Sequence, residues 1–334
     1  MPYIKVNPEK LNSSAQSLKR IEGEINKTEE EFRYVSRQLD WKVSCEKDID
    51  WILRKIDNEL CEQSKVFGEM ALLVAICWKR FFAAVNTVRG VFFLTGEIRF
   101  MLVDIHCHIL PGVDDGATDM ETSKAMIREA YKQGVRYMIA TPHYRPEMFE
   151  PSMSKVISVY RKMRTYAVEI GIGLRLGCEY YRNDQMIYHL DNKLRPTMLG
   201  GKYVLTEFST NDSFITIRNY IYELIVRGYQ PIIAHVERYF CCQELEKILE
   251  LRTLGAKIQV NADAVLGYEG HKIKKFCATL MKNDLVDFIA SDAHNLSTRK
   301  MNLGKCASHV EKKMGQDYVE KIFVENPRRI WKSR

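Results

Sequence analysis

Two kinds of hydrophobic pattern run along this chain, and they meet near residue 100. Over residues 8–40 the apolar positions Leu11, Leu18, Ile21, Ile25, Phe32, Val35 and Leu39 recur at spacings of three, four or seven. Charged residues fill the other faces, which is the pattern of a long helix with a coiled-coil-like seam. Pro8 suits a helix start. A break is expected at residues 40–44, followed by a second helical run through Ile49, Ile52, Leu53, Ile56, Leu60, Phe67, Met70 and Leu73. Residues 1–90 therefore read as a helical hairpin, with 91–100 as a linker. Its apolar stripes need each other, a second copy of the chain or another partner to cover them.

From residue 101 the period changes. Short apolar runs alternate with amphipathic stretches: MLVDIH, then a helix over 120–133 stopped by Gly134, then RYMIATPH, then a helix over 153–170. LRLGCEYY, YVLTEF, PIIAHVE, KIQVNAD and VDFIASDAH follow as strands, most with a helical segment between them. Repeated βα alternation over residues 101–334 predicts an α/β domain whose parallel sheet closes into a barrel.

The polar residues sit at telling places in that pattern. His106 and His108 follow MLVDI, His143 follows YMIATP, Glu179 follows LRLGC, and Glu207 follows YVLT. His235 follows PIIA, and Asp292 and His294 follow VDFIAS. All lie at the carboxyl ends of predicted strands, which converge on one face of a β/α barrel. One histidine on an apolar strand is usually a satisfied core residue. Five of the chain's eight, clustered with carboxylates, point instead to a metal site.

His-x-His places two imidazoles on one side of a strand, because side chains alternate with period two. Asp292 and His294 repeat that geometry, and a carboxylate such as Glu179 can bridge two ions. Such a donor set suits Mn, Fe or Zn. Paired divalent ions acidify a water and clamp a transferring phosphoryl group. Arg238 lies three residues beyond His235, and Arg299 five beyond His294. Each alone could be a surface ion-pair partner, but at this face a guanidinium fits phosphate oxygens. A phosphate ester is thus favoured over a neutral amide as substrate. A cysteine-nucleophile phosphatase is excluded, because no Cys is followed by Arg at the sixth position. Cys107, between the two histidines, is expected to face the barrel wall.

Composition adds limits rather than direction. The 334 residues are 46% hydrophobic and 28% charged, which is ordinary globular composition. Net charge is +7, spread without a dense basic block, so anionic substrates are compatible and nucleic acid is not called for. The nine cysteines form no CxxC pair, and the start MPYIKVNPEK lacks an apolar signal core, so a reducing cytoplasmic location is expected. The apolar stretch over 70–78 is broken by Lys79 and Arg80, too short to span a bilayer.

The segments DIHCHILPGVDDGA, ATPHY, GCEYY, TEF, AHVERY, QVNADAVLG and ASDAHN, in that order, closely resemble the polymerase and histidinol phosphatase (PHP) superfamily. Within it they resemble the bacterial tyrosine phosphatases of capsule and exopolysaccharide synthesis, the CpsB/YwqE-like family. The resemblance spans about 101–331. It implies a PHP-type distorted (β/α)7 TIM-like barrel holding two or three divalent ions, usually Mn2+. By motif, His106, His108, Glu179 and Asp292 would hold one ion. Glu179 would bridge to a second, near Glu207 and His235, and Asp115 would join His143 and His294 around a third. Arg238 and Arg299 would hold the phosphate, with His235 also counted as catalytic. The implied substrate is phosphotyrosine on a cognate tyrosine autokinase of polysaccharide export. Val236 and Ser209 stand where relatives usually carry Pro, and Lys300 and Met301 follow Arg299 where prolines are usual. None of these departures removes a proposed ligand. Two alternatives stand beside this reading: a histidinol-phosphate or other small phosphomonoester phosphatase, and a non-catalytic protein acting through its helical hairpin. The hairpin lies outside the match. Residues 6–39 and the turn at Trp41 loosely resemble WXG100-type secreted hairpins, without their Trp-x-Gly.

Overall fold

A computed structural model describes residues 100–332. The hairpin expected over 1–90 and nearly all of the 91–100 linker lie outside the described residues. The chain runs β1 (Leu102–Cys107), α1 (Met120–Lys132), β2 (Val135–Ala140), β3 (His143–Tyr144), α2 (Met153–Ile170), β4 (Gly173–Leu176), β5 (Glu179–Tyr181) and α3 (Met186–Asp191). It continues with β6 (Tyr203–Glu207), α4 (Phe214–Val226), β7 (Gln230–Ile233), α5 (Leu245–Leu254), β8 (Lys257–Asn261), α6 (Ala262–Leu266) and α7 (His271–Lys282). The last elements are β9 (Phe288–Ala290), α8 (Leu303–Met314), α9 (Gln316–Glu320) and α10 (Asn326–Lys332). The alternation read from the sequence is present, and every pairing between strands is parallel.

Local chemistry explains the helix ends. Asp119 caps α1 by accepting the Thr122 N–H at 2.8 Å, and Ser152 caps α2 through the Lys155 N–H at 3.3 Å. Gly134 and Gly171, just past the two helices, take positive φ, a conformation that favours glycine.

Two of the expected strands each divide in two. RYMIATPH gives β2 and β3, and LRLGCEYY gives β4 and β5. Pro142 lacks the N–H that a continuous ladder needs. At Gly177 the backbone passes so close to Met198 and Ile139 that a Cβ would meet Met198 Sδ at 2.9 Å. The strands order as β1-β2-β4 and β3-β5-β6-β7-β8-β9. Main-chain bonds carry the pairing across the breaks, from Gly177 N to Ala140 O (2.8 Å) and from Glu179 N to Pro142 O (3.1 Å). The first strand meets the segment after the last: Asp292 N donates to His106 O (2.9 Å) and His108 N to Ala293 O (2.8 Å). The parallel sheet is therefore curled on itself.

Apolar residues fill one part of the curl. Val103, Ile105, Ile139, Leu205, Ile232 and Ala290 form one buried cluster with Ile330 of α10. The helices pack outside on a larger cluster that includes Met126, Met138, Ile221, Ile248 and Val310. The register of β1 slips between Asp104 and Cys107. Such irregularities re-aim side chains next to functional sites. At and just after the slip, His106 and His108 stand together, while Cys107 is buried in the larger cluster with its Sγ against Ile139 O at 3.4 Å. Among the described residues no helix is long and apolar enough to cross a membrane.

Candidate metal centre

The carboxyl ends of the strands bring all nine residues expected as metal ligands into one cluster. His106 Nε2 and His108 Nε2 are 3.2 Å apart. Glu179 Oε2 lies 3.1 Å from the first and 3.2 Å from the second, and Asp292 Oδ1 lies 3.4 and 3.5 Å from them. The same Glu179 Oε2 is 3.0 Å from His143 Nδ1, while its Oε1 is 3.0 Å from His235 Nε2. Glu207 reaches toward His143 (3.6 Å) and His235 (3.8 Å). Asp115 Oδ1 sits between His143 Nε2 (3.4 Å) and His294 Nε2 (3.3 Å).

Three sets have donor atoms within 4.8 Å of one another: His106, His108 and Asp292; His143, Glu179 and Glu207; and His108, Asp115, His143 and His294. The sharing differs from the motif-based expectation in four places. His143 stands with Glu179 and Glu207 as well as with Asp115, and His108 joins the Asp115 set. Glu179 is not in the His106, His108 and Asp292 set, and His235 is in none of the three, although its Nε2 is 3.0 Å from Glu179 Oε1.

The chemistry of these donors fits a cation. His143 Nδ1, Glu179 Oε2, Glu207 Oε2, Asp292 Oδ1 and His294 Nε2 are buried and make no hydrogen bond among the described residues. Buried polar atoms are normally satisfied, and these converge from different strand ends. A hard, oxygen-and-imidazole donor set of this kind suits a divalent ion.

The electrostatics divide the cluster. Burial opposes ionisation of Glu179, but the His106 and His143 imidazoles outweigh it and hold this carboxyl well below the usual range. Asp292 behaves alike, with His106, His108, Arg238 and Arg299 overcoming its burial. Burial and the neighbouring Glu179 push Glu207 up to about 7. Burial and Arg238 bring His235 down to about 4, and burial and His108 bring His294 down to about 4. For His106 and His108 burial favours the neutral ring, yet the adjacent carboxylates prevail and raise both.

Several supporting residues went unassigned in the sequence. Asp114 Oδ2 is 2.8 Å from His108 Nδ1 and accepts the His143 N–H at 3.0 Å. Gln259 Oε1 accepts the His235 N–H (2.9 Å) and faces His106 Nδ1 at 3.1 Å. Asn261 donates from Nδ2 to Asp292 Oδ2 at 2.9 Å. The Tyr239 hydroxyl lies 3.4 Å from His235 Nδ1. Partners of this kind fix which imidazole nitrogen faces a metal. Period two along β8 was the available signal, since Gln259 and Asn261 stand two apart in QVNAD. His235 and Asp292 also have positive φ, of 31° and 49°. Such conformations in non-glycine residues cost energy and concentrate at functional sites.

Arg238 and Arg299 meet at one carboxylate oxygen. Asp292 Oδ2 lies 3.2 Å from Arg238 Nη1 and 2.8 Å from Arg299 Nη2. Glu269 holds the other side of Arg238 at 3.3 Å. A cavity of about 200 Å³ opens there, lined in part by both arginines, Asp263, Tyr268 and Glu269.

A curled parallel sheet with a histidine–carboxylate cluster at its strand ends defines an α/β protein of the metal-site class. More particularly, the chain belongs to the CpsB/CapC family of capsular polysaccharide synthesis, whose model matches residues 102–332. The tyrosine-protein phosphatase CpsB of Streptococcus pneumoniae is 35% identical over 237 residues, 69% of this chain and 98% of that protein. The tyrosine-protein phosphatase YwqE of Bacillus subtilis is 32% identical over 228 residues, 67% of this chain and 89% of that protein. Among solved structures, a chain from the crystal structures of YwqE and CpsB, described as unique metal-dependent tyrosine phosphatases, matches with a TM-score of 0.61 and 30% identity. That match covers 65% of this chain and 90% of the other.

Proposed function

We propose that this protein is a metal-dependent protein-tyrosine phosphatase that acts in the cytoplasm on a phosphorylated tyrosine kinase of capsular or exopolysaccharide synthesis. The observation that carries the reading is the convergence of five unsatisfied buried donor atoms beside two arginines that share one oxygen of Asp292. The family relationship favours phosphotyrosine over histidinol phosphate. In the finer reading the curled sheet is a distorted (β/α)7 barrel, and the first 90 residues form a separate helical hairpin.

His106, His108, Asp115, His143, Glu179, Glu207, His235, Asp292 and His294 would hold two or three divalent ions, Mn2+ in preference to Fe or Zn. Such ions supply Lewis acidity, polarising phosphoryl oxygens and lowering the pKa of a water. The chain's own part is positioning and charge. Arg238 and Arg299 present planar donor forks to the phosphoryl oxygens and stabilise the charge that builds there. Asp292, Glu269 and Asp115 hold those forks in place before substrate arrives. The Tyr239 hydroxyl near Nδ1 of His235 leaves Nε2 facing Glu179. A phenolate is a fair leaving group, so little proton donation is needed from the protein.

The test is release of phosphate from p-nitrophenyl phosphate and from a phosphotyrosine peptide, with Mn2+ and with EDTA. Activity with Mn2+ that EDTA abolishes is expected. The double variant His106→Ala/His108→Ala should lose turnover while keeping its far-UV circular dichroism. EDTA-resistant turnover, or a wild-type rate in the double variant, would refute the site. Faster turnover of histidinol phosphate than of phosphotyrosine would replace the substrate.

A further inference from the structure

Arg238 and Arg299 are both held by carboxylates, whereas a third arginine close to these strand ends, Arg145, has no such partner among the described residues. The pairing of β3 with β5 sets His143 opposite Glu179 and Tyr144 opposite Tyr180. Tyr144 and Tyr180 turn away from the metal cluster into a separate apolar cluster with Cys178 and Leu190. Tyr181, two residues on from Glu179 in β5, is the register partner of Glu207 in β6, and Arg145 follows directly after the end of β3. The Arg145 guanidinium lies 4.0 Å from the centre of the Tyr181 ring. Arg182, next along, goes the other way and rests on Tyr220 of α4.

The position is built rather than accidental. Arg145 N donates to Phe149 O (3.0 Å) and Phe149 N to Arg145 O (2.7 Å), closing a short loop after β3. That loop lays the Phe149 ring over His143, with centroids 5.4 Å apart and planes 14° from parallel. Arg145 and Tyr181 are both half-buried at this rim. No carboxylate among the described residues lies within ion-pair distance of Arg145. A guanidinium resting over an aromatic ring can still offer N–H donors to an anion.

We infer that Arg145, seated on Tyr181, is a subsite for a second anionic group of the substrate, a carboxylate or phosphate borne by a residue flanking the phosphotyrosine. The inference rests on the proposed phosphatase reading and adds the substrate's sequence context to it. One strand repeat, about 7 Å, separates this rim from the His143–Glu179 pair, a distance that an adjoining side chain of an extended peptide spans. The preferred substrate is then an acidic or multiply phosphorylated peptide rather than an isolated aryl phosphate.

The experiment uses the full chain with Mn2+ and four substrates: p-nitrophenyl phosphate and three phosphotyrosine peptides, flanked by Ala, by Glu or by a second phosphotyrosine. Wild type should favour at least one anionic flank over Ala by about tenfold in kcat/KM, the size expected of one charge-assisted hydrogen bond. Arg145→Ala should remove that preference, mainly through KM, while turnover of p-nitrophenyl phosphate stays within about twofold of wild type, each tenfold step being one such bond. Arg145→Lys should restore part of it, and Tyr181→Leu should weaken it by releasing the guanidinium. A preference for Glu alone assigns the subsite to carboxylates, and one for the second phosphotyrosine alone assigns it to phosphate. A wild type indifferent to flanking charge, a preference that survives in Arg145→Ala, or an equal loss on p-nitrophenyl phosphate would each overturn the inference. Loss of all wild-type turnover would instead defeat the phosphatase reading itself.

Discussion

His143 concentrates the logic of the site in one side chain. Its Nδ1 faces Glu179 and Glu207, and its Nε2 faces Asp115. Its place after YMIATP was legible in the sequence, but its two-sided role was not, because a motif names a residue without saying which ring nitrogen meets which partner. Gln259 makes the same point from the other direction. As a neutral residue inside a strand it carries only the positional signal of period two, yet its one side-chain oxygen serves both His106 and the backbone of His235. Gln259→Leu keeps the bulk and removes that oxygen. Metal affinity, measured by calorimetry or by metal content after dialysis, is expected to fall by about 10- to 100-fold, as when a ligand's supporting partner is lost. A second prediction concerns pH. Protons and cations compete for the imidazole nitrogens, and metal binding requires the neutral ring. The pKa values of His106 and His108 are raised, so the protonated forms persist to higher pH than in an ordinary histidine. Affinity for divalent ions should therefore be weak at low pH and climb as pH rises through those raised values. A flat profile in a pH series of Mn2+ titrations would contradict this.

At the scale of elements the sequence carried the order well and the fine geometry poorly. The bounds of α2 agree with its reading from residues 153–170, because Ser152, Gly171 and the apolar spacing all specify the same ends. The division of two strands was hidden. Pro142 and Gly177 are visible in the sequence, but only the closed sheet shows that the pairing carries on across each break. Close approaches are hidden in the same way. Gly304 lies in α8, where alanine would ordinarily gain about 1 kcal/mol of helix propensity. A Cβ there would run into the Gln133 carbonyl oxygen and come within 2.8 Å of the Gln133 Cβ, at the end of α1. Overpacking of that kind costs about 1–3 kcal/mol, so Gly304→Ala is expected to lower the thermal midpoint. The Gln133 side chain also accepts the Gly304 N–H at 3.1 Å, a bond that the shift would strain. A raised midpoint would show that the two helices can move apart freely.

For the whole molecule, the polar end of the curled sheet gathers charge and the opposite part gathers apolar side chains. Buried carboxylates and imidazoles that converge on a cation are stabilised when it binds, so metal should stabilise the fold by mass action. At a hundredfold excess over Kd this is worth roughly 2.7 kcal/mol. The thermal midpoint is expected to rise with Mn2+ and to return to its starting value with EDTA. Expression of residues 101–334 alone should retain full specific activity, since the family match begins at residue 102. A large loss would assign the first hundred residues a part in the chemistry. By itself the sequence determined the alternation of strands and helices and the set of residues at the strand ends, because period, caps and side-chain chemistry are local properties. Only the tertiary structure decided which donor atoms share a space, that Asp292 is gripped by two arginines, and that Arg145 meets no carboxylate among the described residues. Those facts depend on distances between strands far apart in the chain, which the curling of the sheet sets.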